Sequence, residues 1–242
     1  MSVCAANAAY YFLADEIIRQ LGTYQRGFFC IDPSIHYSAK PSTVSNVAHR
    51  VYNLSLTIVS ILVVEGVRQF LGAPRALVYR IGTCKLPSYV VSVLTFVGYS
   101  QVGYIFNELM VKFVKGFVGR LRPNFYDTCR PLPISACDTN DPNVFVTDFT
   151  CTGDPLHVEE SRKSFYSGHS TVAMYSAFWT VLYLQARLKP AIPNNVLVGI
   201  LQFIVMTGGL FICCSRISDN KHHWSDVLVG ILVGMGFAFS ST

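Results

Sequence analysis

The sequence is short of charge. Asp, Glu, Lys and Arg make up only 14% of its 242 residues, while 51% are hydrophobic, against about a quarter charged in an ordinary soluble domain. The shortage is also concentrated. Residues 51–64, 86–107, 170–186, 190–215 and 227–242 contain no charged side chain at all. That argues against a soluble globular protein, because several buried helices of this length with so few polar faces between them would leave too little surface for water. A membrane-spanning helix needs ~20 predominantly apolar residues; three of the five blocks approach or exceed that, and the other two are short at one end. No basic residue precedes the apolar stretch 3–14, so a secretory signal peptide fits poorly. Internal repeats, low-complexity tracts and any soluble appendage are also missing, so the chain reads as a single membrane-embedded domain over residues 1–242.

What is present sets the architecture. The expected fold is all-α, a polytopic transmembrane bundle of about six spans at 3–22, 48–68, 88–112, 168–186, 194–214 and 226–242. The first and last read as incomplete, as in a shortened chain. Residues 3–14 are too short to span and are followed by Asp15, Glu16 and Arg19, and a final span of about 16 residues is only ~24 Å long.

The connections differ in character. Segment 23–47 holds Cys30, and the long polar segment 119–166 holds Cys129, Cys137 and Cys151. Cysteines in polar loops fit an oxidising compartment, with a disulfide expected among Cys129, Cys137 and Cys151. Basic residues in 69–87 and 187–193 fit the cytoplasmic side. Alternating spans then gather 23–47, 119–166 and 215–225 on the other side, extracellular or luminal. Segments 112–122 and 160–163 are basic on that side too, which calls for a role other than setting topology. The sequon at Asn53 falls at the start of a span and reads as unused.

Three short stretches on that side carry chemistry. In KGFVGRLRP, Lys115 and Arg122 lie seven residues apart; if the preceding span runs on through them, both cations share one helical face and suit a dianion. A cationic collar at the membrane edge is the plainer reading. In SFYSGHS, residues 164–170, a span begins at the Ser-Gly-His triplet, so its unpaired backbone N–H groups and positive dipole end favour an anion. Ser167 adds a hydroxyl, Gly168 permits close backbone approach, and His169 is of a residue type that can donate a proton near neutral pH. A helix cap with an incidental histidine is the alternative. In SRISDNKHHWSD, residues 215–226, His222 and Asp226 stand four apart, one helical turn. The carboxylate could then hold one imidazole nitrogen and leave the other bare, as an activated histidine nucleophile requires. Arg216 adds a third cation. A satisfied His–Asp cap or a metal site competes with this reading, but adjacent His222 and His223 would diverge by roughly 100° on a helix and no carboxylate cluster accompanies them.

Together the three stretches resemble the type 2 phosphatidic acid phosphatase superfamily, in its lipid phosphate phosphatase branch. The family pattern Lys-x6-Arg-Pro, Ser-Gly-His and Ser-Arg-x5-His-x3-Asp is met without a gap at Lys115 to Pro123, Ser167 to His169 and Ser215 to Asp226. Tyr166 stands where the wider superfamily has proline, as is usual for this branch. The resemblance implies a six-span fold and a lipid phosphate phosphohydrolase without metal or other cofactor. His222 would be the nucleophile, Asp226 its orienting carboxylate and His169 the general acid; Lys115, Arg122, Ser167, Gly168 and Arg216 would hold the phosphate. Phosphatidate, lysophosphatidate, sphingosine 1-phosphate and ceramide 1-phosphate are the substrates it implies. The expected setting is the plasma membrane, with lipid rather than nucleic acid as partner and a homo-oligomer left open. Two alternatives are a catalytically silent lipid-binding relative and a lipid phosphotransferase.

Overall fold

Five of the expected spans form helices, each shifted by a few residues. In the computed structural model, which describes residues 22–73, 80–81, 84–132, 137, 144–192 and 194–242 together with Phe12, Glu16, Ile17 and Gln20, they are α1 (Asn46–Phe70), α2 (Ser88–Val118), α5 (Gly168–Tyr183), α6 (Asn195–Ser218) and α7 (Trp224–Ser240). Two short helices, α3 (Phe125–Cys129) and α4 (Pro155–Ser161), lie between α2 and α5. The span expected at 3–22 falls outside the described residues except for Phe12, Glu16, Ile17, Gln20 and Gly22. Side-chain caps set two of the starts: Ser45 accepts from the Ala48 amide ahead of α1, and Asn194 accepts from the Leu197 amide ahead of α6. Each satisfies one of the orphan donors of a first turn. Among the described residues α1, α2 and α6 are long and apolar enough to cross a membrane, and α7 is a shorter apolar helix.

Helix α5 is the hub. All of residues 170–177 and also Trp179, Thr180 and Tyr183 are buried, so it is enclosed on every face rather than amphipathic. It runs on through a π turn, Leu184–Leu188. Ile61 and Val64 of α1, Val198 of α6 and Ala238 of α7 pack round Tyr175, Trp179 and Tyr183. Two polar residues of α5 bond to α2: Thr171 Oγ1 donates to Asn107 Oδ1 at 2.8 Å and the Tyr175 hydroxyl to the Ser100 carbonyl at 2.7 Å. Against α7 the contact is through backbone. A Cβ at Gly230 would lie 2.8 Å from the Ser167 carbonyl oxygen, and one at Gly234 2.1 Å from that of Thr171, so only glycine allows this approach.

The two ends of the bundle are built differently. At one, the buried Glu65 accepts from Tyr183 at 2.9 Å and from both Nε and Nη2 of Arg187 at 2.9 Å, while Arg68 donates to the Arg187 carbonyl. At the other, the loops form a cap. Phe28–Phe29 (β1) pairs with Phe145–Val146 (β5), and Pro131–Leu132 (β4) pairs with Thr150–Cys151 (β6), both antiparallel; a third ladder, Arg80–Ile81 (β2) with Cys84–Lys85 (β3), lies instead in the connection from α1 to α2, at the Glu65 end. Phe28, Ile35, Leu121, Phe125 and Val146 form a small core under the cap. The Tyr37 amide donates to Pro123, the Ala39 amide to Asp127, and Lys40 to Ser218, so segments 23–47, 119–166 and 215–225 do meet at one end. The disulfide pattern is wider than expected. Cys129 pairs with Cys151, but Cys137 pairs with Cys30 of the first loop. Asn53 is buried in α1, its amide donating to the His49 carbonyl at 2.6 Å.

Candidate active site

The Ser-Gly-His triplet sits where the hub helix begins. Ser167 is the N-cap of α5, its Oγ accepting from the Ser170 amide at 3.4 Å and the Ser170 hydroxyl at 2.9 Å. The Ser167 amide in turn donates to the Asp226 carbonyl oxygen at 3.1 Å, tying this helix start to that of α7. Gly168 and His169 supply the first turn, where backbone N–H groups point outward. A Cβ at Gly168 would lie 3.2 Å from Val111 and 3.8 Å from the Lys115 ammonium, so Lys115 stands against this turn.

Lys115 and Arg122 do not share a helix face, contrary to the sequence reading. Gly119 adopts the left-handed region (φ 56°) and ends α2 at Val118; its approach to Tyr24, whose carbonyl oxygen would be 2.2 Å from a Cβ there, requires glycine. The chain beyond turns back, with the Arg122 amide donating to Ser161. Arg122 reaches the site from this turn and donates from Nη2 to Glu160 at 3.0 Å. Arg216, 2% exposed, donates to Asp219 at 2.8 Å and to Ser215. Asp219 neutralises it, so Arg216 contributes directed donors more than net charge.

His222 and Asp226 are not one helical turn apart either. Helix α7 begins at Trp224 with His223 as its N-cap, in a capping box with Asp226, so His222 lies ahead of the helix. Its place is set by the turn after α6, where Asn220 takes φ 55° and the His222 amide donates back to the Arg216 carbonyl at 3.2 Å. His222 is 4% exposed and Asp226 fully buried. Nδ1 of His222 lies 3.9 Å from Asp226 Oδ2, too far for a hydrogen bond, and that nitrogen has no partner. Burial pushes the His222 imidazole down to about 3, with the Asp226 carboxylate opposing and the charges of Arg122 and Lys115 reinforcing the shift. The ring is therefore neutral at neutral pH, with a lone pair available.

Asp226 is held by residues that the sequence did not single out. Arg120 donates to Oδ1 and also to Ser225, Ser164 donates to Oδ2 at 2.6 Å, and the His223 amide donates to Oδ2 at 3.1 Å. Arg120 and Ser164 occur inside the motif words but have no spacing signal, since their partner is 106 and 62 residues away. His49 of α1 was also missed. Its ring stacks on that of His169, centroids 4.2 Å apart and planes at 23°. A cavity of about 470 Å³ opens beside these groups, lined by Asn46, His49 and Arg50 of α1, Glu108, Lys112 and Lys115 of α2, and Gly168 and His169 of α5.

The cavity is lined by four cations, Arg50, Lys112, Lys115 and Lys163, and three glutamates, Glu108, Glu159 and Glu160, beside the first turn of α5. The PAP2 superfamily model matches residues 92–242. The chain belongs to that superfamily. A Caenorhabditis elegans protein named phospholipid phosphatase homolog 1.2 homolog is 47% identical over 218 residues, which are 88% of this chain and 63% of that protein. Phospholipid phosphatase 2 of Rattus norvegicus is 34% identical over 236 residues, 96% of this chain and 79% of its own length. The Homo sapiens phospholipid phosphatase 2 is 36% identical over 216 residues, 87% and 70%. The chain thus spans less than two thirds of the nematode relative and more of the mammalian ones. No solved structure matches. This PAP2 chain brings all three family stretches to one end of the bundle, with Ser167 to His169 and His222 to Asp226 joined directly by the Ser167–Asp226 backbone hydrogen bond.

Proposed function

We propose that this chain is an integral membrane phosphohydrolase of lipid phosphate monoesters that works through a phosphohistidine on His222. The observation that carries the reading is the buried, uncharged His222 next to the fixed Asp226 carboxylate, with the charges of Lys115 and Arg122 acting on it and those of Lys115 and Arg216 on the neighbouring His169. The names of the relatives agree with it. His222 attacks phosphorus, and the bond from phosphorus to the lipid oxygen breaks as the N–P bond forms. His169 gives its proton to the departing alkoxide and then takes one from the water that cleaves the N–P bond, releasing phosphate and restoring His222. Phosphoryl transfer asks mainly for positioning and charge stabilisation. Lys115, Arg122 and Arg216, with the Ser167 hydroxyl and the amides at Gly168, supply both without a metal. As the N–P bond forms, positive charge develops on the imidazole, and this draws the Nδ1–H of His222 toward the Asp226 carboxylate 3.9 Å away.

The cavity beside His169 lies at helix ends, where a headgroup enters while acyl chains stay in the bilayer. Phosphatidate, lysophosphatidate, sphingosine 1-phosphate and ceramide 1-phosphate all present the same monoester. The two disulfides in the cap favour an extracellular or luminal site, and the plasma membrane is the setting we propose. The deciding experiment is phosphate release from detergent-dispersed phosphatidate in excess EDTA, comparing wild type with His222→Ala. Activity that survives EDTA and vanishes in the variant is expected. A folded wild type that releases no phosphate from any lipid phosphate overturns the reading, as does a fully active variant.

A further inference from the structure

Helix α1 contributes no residue to the three family stretches, yet it places a buried imidazole against His169. His49 is 5% exposed. Its Nε2 lies 3.2 Å from the His169 carbonyl oxygen, and because a carbonyl only accepts, Nε2 carries the hydrogen and the tautomer is fixed. That carbonyl belongs to the first turn of α5 and is already an acceptor within the helix, so the bond is not needed to satisfy it. What the bond fixes is the His49 ring. The face of that ring lies against the face of the His169 imidazole, 4.2 Å between centroids, while His169 Nε2 is buried with no partner. An apolar side chain would seal the contact between α1 and α5 equally well and would need no donor. The geometry suits a histidine that has to hold one orientation while gaining and losing a proton, since a neutral ring stacked on it supports the cation and blocks rotation.

We propose that His49 is a positioning residue for His169: anchored through Nε2 to the His169 carbonyl, it fixes the plane of the His169 ring and aims Nε2 at the leaving oxygen. The proposal rests on the phosphohydrolase reading and assigns His49 no contact with substrate. Its consequence is selective. Only a leaving group that needs a proton depends on the aim of His169, whereas one that departs unprotonated does not.

The test compares a long-chain alkyl phosphate with its bridging phosphorothiolate, in which sulfur replaces the ester oxygen and the thiolate leaves without protonation. The parameter is kcat/KM, which covers the chemistry only through departure of the leaving group. His49→Phe keeps a flat ring of similar size but loses the donor, and His49→Ala loses both. Each is expected to cut kcat/KM for the oxygen ester about 10- to 100-fold, part of what a general acid contributes, and to change that for the sulfur ester less than about threefold. His169→Ala shows the same selectivity, and adding His49→Phe to it costs little more. Equal losses on both esters, with detergent melting curves shifted, mean a structural residue and overturn the proposal; so does no loss on either. If wild type hydrolyses neither ester, or His222→Ala hydrolyses both, the phosphohydrolase reading itself fails and His49 falls with it.

Discussion

Arg120→Leu removes the charged partner that touches Asp226. The carboxylate is fully buried and keeps only neutral donors, Ser164 Oγ and the His223 amide. Breaking a buried ion pair from one side costs about 3–5 kcal/mol. Arg120 is 31% exposed, so part of its charge is screened and about 2–3 kcal/mol is expected here. For a chain of this size that lowers the melting midpoint by roughly 4–12 °C, measurable in detergent by intrinsic fluorescence. The second half of the test is repair. In Arg120→Leu/Asp226→Asn the amide oxygen still accepts from Ser164 and His223, and the amide nitrogen turns toward Ser225, which Arg120 formerly bonded. No charge is left unpaired, so the double variant should be more stable than Arg120→Leu alone while remaining inactive. The reasoning is refuted if Arg120→Leu melts within about 2 °C of wild type, or if the double variant is no better than the single.

Two further outcomes follow. His222 has a folded pKa of about 3, below the ~6.5 of an unfolded histidine; between these values the unfolded chain binds the extra proton, so acidification through that window disfavours the fold by up to roughly 1.4 kcal/mol per pH unit, and above it this residue adds no slope. Melting curves of wild type and His222→Gln from pH 7.5 to 4.5 should therefore shift in the variant's favour as pH falls. Glu160 pairs with Arg122 at 3.0 Å and is half exposed; although burial opposes ionisation, Lys115, Arg122 and Lys163 hold its carboxyl below the usual range. Glu160→Gln removes an anion that competes with phosphate for Arg122, so the inhibition constant of inorganic phosphate should fall about two- to fivefold, the size of an exposed ion pair, with kcat little changed.

The spans and the three motif stretches were legible because both signals are local: runs without charge, and short words of cations, glycine and histidine. Geometry inside those words was not. The sequence reading extended a helix through Lys115 to Arg122 and another through His222 to Asp226, and both were interrupted. The helix stops at Gly119 through its left-handed backbone and its close approach to Tyr24, almost a hundred residues earlier, and spacing within the word shows neither. Arg120 and Ser164 could not be assigned from spacing, since each acts on a carboxylate far along the chain. His49 is an isolated histidine at the start of an apolar block, and its neighbour His169 is 120 residues away. Cys30 was legible as a loop cysteine, but its partner depended on which loops share an end.

The glycine contact between α5 and α7 has a consequence for the route by which the proposed lipid substrate reaches the site. Where Gly230 and Gly234 bring the two backbones together, no width remains for a hydrocarbon chain, so this flank of the bundle is a closed wall. The cavity opens on another flank, between the start of α1 at Asn46 and Arg50 and the end of α2 at Lys112 and Lys115. The circumference of the bundle thus has a direction. On the function proposed above, a lipid phosphate comes in past α1 and α2, and its tail remains outside that doorway while the headgroup is worked on.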